Sequence, residues 1–128
     1  MKKIFFTFLF FTTLFGFTQE VQNDTIYKLS EVDKTPEFID GMTNFYKFVG
    51  SKFVVESKRK YQGKIITEFV IEKDGTLSNF KTISDFGFGS GDEAIRVYKL
   101  SPNWSPAEKN GKAVRCVFTF PLKIEKGD

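Results

Sequence analysis

The stretch "KIITEFVIEKDGTLSNFKTIS", Lys64 to Ser84, decides the fold. Ile65, Thr67, Phe69 and Ile71 share one parity, and Ile66, Glu68, Val70 and Glu72 share the other. Period two with β-branched and aromatic residues predicts a strand. Asp74-Gly75 then predicts a tight hairpin turn, because both residue types tolerate positive φ. Thr76 to Ser84 is the return strand. Its apolar residues change parity between Leu77, Phe80 and Ile83, and a bulge near Asn79 reconciles them. The oxygen-rich "EKDGTLSN" lacks the repeated Asp/Asn spacing and terminal Glu of a calcium loop, so the hairpin turn accounts for it.

Upstream of the hairpin, Met42, Phe45, Tyr46, Phe48 and Val49 are spaced as one stripe of an amphipathic helix over about 42–52, with Asp40 or Thr43 as its cap. Downstream lies "DFGFGSGDEAIR", Asp85 to Arg96, a glycine-rich turn into a second helical stripe of Ala94, Ile95, Val97, Tyr98 and Leu100. A dinucleotide loop would need glycine where Asp92 stands. A P-loop would need a Lys-Ser/Thr pair, which is absent. Asp92 and Glu93 instead complement the positive end of the helix. "SPNWSP", Ser101 to Pro106, ends that helix, and Trp104 is expected to pack on the sheet. After the turn "KNGK" the last strand is Ala113 to Phe120. Val114, Cys116, Phe118 and Phe120 face the core, and Arg115, Val117 and Thr119 face away. Pro121 cannot donate to a ladder, which places that end at an edge or outside pairing.

The predicted class is therefore α+β in two layers: an antiparallel-dominated, three-stranded sheet with two helices on one face. A right-handed crossover through the second helix makes the second and third strands parallel. The first strand then lies between them and the last becomes an edge.

The chain begins "MKKIFFTFLFFTTLFGFTQE". Two lysines, an apolar run from Ile4 to Phe17 and then small and polar residues predict a secretory signal peptide over 1–18, cleaved after Thr18. The run is short of the roughly 20 residues that span a bilayer. No cysteine lies nearby, so the expected product is exported but not a lipoprotein. Residues 19–34 read as a polar segment with one short strand around Thr25–Val32, 35–124 as the domain and 125–128 as a tail. The chain has 19 basic and 16 acidic residues. Losing Lys2 and Lys3 leaves 17 against 16, which gives no support for a nucleic-acid partner.

There is no histidine, and Cys116 is the only cysteine. His-dependent triads and His-ligated metals are excluded. Cys116, within an apolar alternation, reads as buried filler. Of the carboxylates, Asp33, Glu37 and Asp40 lie near one another in sequence without any mark of a catalytic pair. Neither an enzyme nor a small-molecule cofactor is expected.

Four pieces in order, "PEFIDGMTNFYKFV" (36–49), "FVIEKDGTL" (69–77), "EAIRVYKLSPNWSP" (93–106) and "NGKAVRCVFTFPL" (110–122), resemble the C-terminal domain of TonB-like proteins in the form common in Bacteroidetes. The chain departs from that pattern at Asp40-Gly41, where the family has Gly-Gly, at Phe53-Val54-Val55, where it has Tyr-Pro, and at Ala107, where Gly is common. The membrane anchor and Pro-rich stalk of full energy-transducing members are not expected here. The resemblance implies a periplasmic interaction module associated with TonB-type transport. Its partner would be an outer-membrane receptor peptide, or another envelope protein, added as a strand to the sheet. The edge at Ala113–Phe120 then makes Arg115, Val117 and Thr119 the flanking residues of a peptide-binding site. The same edge is also open to self-pairing in a homodimer. The alternative is a structural or envelope-stress protein that shares the fold without receptor binding.

Overall fold

A computed structural model describes residues 24–55 and 60–126. The expected signal peptide lies outside the described residues, as does the end of the tail. The elements in chain order are β1 (Ile26–Tyr27), α1 (Met42–Lys52), β2 (Tyr61–Ile71), β3 (Leu77–Ser84), α2 (Ser90–Tyr98), β4 (Ala107–Lys109) and β5 (Lys112–Lys126). The sheet runs β1-β5-β2-β3, with β4 also paired to β5. The α+β class and the central position of β2 agree with the pattern of apolar residues. The expected three-stranded sheet becomes five-stranded, because two short strands are added against β5: β1, within the short strand expected around Thr25–Val32, and β4.

β2 carries the core. Ile65, Thr67, Phe69 and Ile71 are all fully buried beneath the helices. The same face of β5 supplies Cys116, Phe118, Phe120 and Leu122, directly across from Ile71, Phe69, Thr67 and Ile65. The β2–β3 connection is not the two-residue turn that Asp74-Gly75 suggests. Gly75 N–H donates to Glu72 O and Glu72 N–H to Thr76 O, and only Gly75 of this turn has a positive φ, at 85°. That is a three-residue loop over 73–75 with glycine in the left-handed position. The two-residue pattern occurs instead at Asn110-Gly111, with φ of 52° and 75°, between β4 and β5.

The bulge near Asn79 is present. Glu68 pairs with Lys81 but Val70 with Ser78, so β3 carries one extra residue, and Asn79 takes it up at φ 51°. A second bulge separates Thr67↔Thr82 from Ile66↔Ser84. The first lets Leu77 and Phe80 both reach the core. The second leaves Ile83 on the surface, 48% exposed.

α1 begins after Gly41 at φ 93° and has no side-chain cap, so neither Asp40 nor Thr43 plays that part. Asp40 itself is left-handed, and its carbonyl accepts from the Asn44 amide at 3.2 Å. α2 begins after left-handed Gly89, and the buried Ser90 Oγ accepts from Phe86 N–H. Glu93 accepts from the Val54 N–H and pairs with Arg96, whose guanidinium also donates to Lys52 O. These bonds tie the start of α2 to the end of α1. Trp104, 3% exposed, closes the core, with its indole N–H on Ser101 Oγ. At the centre, the Tyr98 hydroxyl and Thr67 Oγ1 are buried without a well-formed hydrogen bond. Burial pushes the Tyr98 phenol above its ordinary pKa, the adjoining Thr67 opposing that in part.

Candidate functional site

β5 is the longest strand, and its two sides are treated differently. On one side it pairs with β2 without interruption, from Tyr61↔Lys126 to Ile71↔Cys116. On the other side β1 runs parallel to it at Arg115 and Cys116 only. β4 pairs with residues 112–114. The parallel register at Cys116 directs the Val117 N–H to the Tyr27 carbonyl, and beyond Val117 no described strand pairs with the outer side. The strand does not end before Pro121 as expected. It runs through the proline, which sits opposite Ile66. The Pro121 carbonyl turns away from β2 and receives the Tyr46 hydroxyl of α1 at 3.5 Å. Successive strand residues direct their backbone groups to opposite sides. Val117, Thr119, Lys123 and Glu125 share the parity of Pro121, so their N–H and C=O groups face outward, the Val117 N–H toward β1 and the rest toward the open side. The missing N–H of Pro121 removes a donor from the edge and none from the β2 ladder, the arrangement in which strand proline is tolerated.

The three residues singled out by sequence separate here. Arg115 lies at the closed end, opposite Ile26 of β1. Its guanidinium grips Glu72 at 2.6 Å and donates to Asp24 O at 3.1 Å. Val117, half-buried across from Val70, and Thr119, exposed across from Glu68, lie on the open portion. Pro121, Lys123 and Glu125 extend that portion, and Tyr46 overhangs it with its ring 5.0 Å from Phe120. Sequence reading missed these four. The signal was the continued apolar alternation of Leu122 and Ile124 past the proline. Cys116 is fully buried, and burial first, then the Glu31 carboxylate, push its thiol pKa upward.

The Arg115 hydrogen bond holds the Glu72 carboxyl below its ordinary value near 4.5, against the opposing effect of burial and with help from Ser78. Because the folded state binds the proton more weakly than the unfolded, this contribution to stability is full above the ordinary value. It is lost as pH falls through the folded value. The stability gap between wild type and Glu72→Gln, read from urea midpoints, should be constant near neutrality and close in acid. A gap unchanged through the acid range would remove the ion pair as its cause.

The opposite edge of the sheet is β3. Its two bulges and Lys81 twist and charge that edge, the usual means of discouraging strand pairing. β5 beyond Val117 has a continuous register behind it and no bulge. Residues 55–123, from the end of the α1 segment through the open edge, match the family described as Gram-negative bacterial TonB protein C-terminal. The chain belongs to the TonB C-terminal family. No curated protein and no solved structure matches it. A TonB C-terminal domain is a non-enzymatic module associated with TonB-type transport, found in the periplasm of Gram-negative bacteria and partnered with receptors of the outer membrane. Among the described residues of this TonB C-terminal domain, no helix is long and apolar enough to cross a membrane.

Proposed function

We propose that this domain binds an extended segment of an outer-membrane receptor, or of another envelope protein, by strand addition along β5 from Val117 toward Lys126. The protein then acts in the periplasm after loss of residues 1–18, with 35–124, extended by β1 and the end of β5, as the working domain. The observation that carries the reading is the half-covered β5, whose outward backbone groups lack a strand partner among the described residues beyond the Val117 N–H. An added segment would satisfy those groups at about 0.5–1.5 kcal/mol net for each hydrogen bond. Its alternate side chains would lie beside Val117 and Thr119 on one face and near Tyr46 and Phe118 on the other.

Thr119→Pro tests the proposal, because it removes an outward donor that no described strand uses while leaving the parity that bonds β2 untouched. Capture of a receptor from an envelope fraction should fall at least about tenfold for Thr119→Pro, while Thr119→Ala captures as wild type does. Equal melting midpoints of the two variants guard against misfolding. Undiminished capture by a folded Thr119→Pro protein would overturn strand addition at this edge.

A further inference from the structure

The open edge carries a charge pattern that narrows its occupant. Lys64 of β2 and Lys123 of β5 are directly opposite one another on the sheet face away from the helices. Both are exposed, and among the described residues neither ammonium is held by a carboxylate. Like charges opposite one another across an antiparallel pair destabilise it. Glu125 and Gln62 form the next pair on the same face, so one carboxylate accompanies two ammonium groups and the local balance stays positive. These side chains and Pro121 border a shallow recess of about 420 Å³ beside the edge. The compact Pro121 ring leaves room for a side chain to reach back across β5 into it.

We infer that the segment added to β5 carries an acidic side chain abreast of Lys123, reaching into the recess between Lys123 and Lys64. The inference rests on the strand-addition reading and gives it a chemical address. A carboxylate there relieves the Lys64–Lys123 repulsion, whereas a cation would add a third positive charge. The effect is that of exposed ion pairs: modest, and screened as salt rises.

The test pans a library of random ten-residue peptides against the full mature chain at low ionic strength. Enriched peptides should share Asp or Glu at one position and slow hydrogen exchange at the Thr119, Lys123 and Glu125 amides. Changing that acid to Lys should weaken binding by about tenfold at low salt and by less at about 0.15 M. Lys123→Glu should reverse the preference to Lys or Arg, with Lys123→Met abolishing it. An unchanged melting midpoint for each variant shows the fold is intact. Peptides that protect the edge amides yet show no charge preference, or keep it in Lys123→Glu, overturn the inference and leave strand addition standing. If no enriched peptide protects those amides, both fall.

Discussion

Gly75→Ala should destabilise the domain by about 3–5 kcal/mol, lowering the melting midpoint by roughly 15–25 °C. Two costs combine. Gly75 sits at φ 85°, where any Cβ is strained by about 1–2 kcal/mol. The added Cβ would also overlap the carbonyl of Trp104 and come within 2.9 Å of its backbone nitrogen. These are backbone atoms, held in place because Trp104 N–H donates to Gly75 O at 2.8 Å and the indole is locked in the core. Relief therefore means moving Trp104 or opening the loop. Gly111→Ala is the matched control: φ is 75°, but nothing lies within 4 Å of the new Cβ. It should cost only the conformational part, about 1–2 kcal/mol. If urea denaturation gives the two variants the same loss, the packing of the hairpin loop on Trp104 contributes nothing.

Phe45→Ala should cost about 3–5 kcal/mol. Phe45 is fully buried, and its ring meets Phe120 at 4.8 Å, Trp104 at 4.9 Å, Phe38 at 5.1 Å and Tyr98 at 5.8 Å. It is the contact through which α1 is joined to β5, α2 and the Trp104 segment together. Its neighbours are large rings on separate elements, so they cannot close over the void without moving those elements. Phe45→Leu, which keeps most of the volume, should lose less than half as much. Phe88→Ala makes the same chemical change at a residue 65% exposed and should stay within about 0.5 kcal/mol of wild type. Comparable losses at the two sites would mean that the aromatic cluster is not where this domain keeps its stability.

Much of this was legible in sequence because it follows from local patterns. The period-two run from Ile65 to Ile71 dictates which face of β2 is buried. The parity change at Asn79 identifies a bulge without any partner strand in view. The two apolar stripes locate both helices. What was not legible depends on residues far apart in the chain. The pairing of Arg115 with Glu72 and its covering by Ile26 bring together three separated segments, and no spacing announces them. The continuation of β5 through Pro121 was hidden by a rule that holds for central strands, since one side of this strand needs no donor at that position. The capping of α1 failed for a related reason: Asp40 and Gly41 both have positive φ, and they turn the chain into the helix by backbone conformation where a side-chain oxygen was expected.

The bulges of β3 bear on how many partners the sheet can hold. A sheet with two receptive margins can grow from both and propagate into a fibre. Here one margin is distorted at Asn79 and Ile83, and the other is receptive only beyond Val117. On the proposed reading the domain is thus monovalent for strand pairing. Two copies meeting edge to edge would consume each other's receptive margin and stop at a closed pair, in direct competition with any receptor segment seeking the same backbone groups.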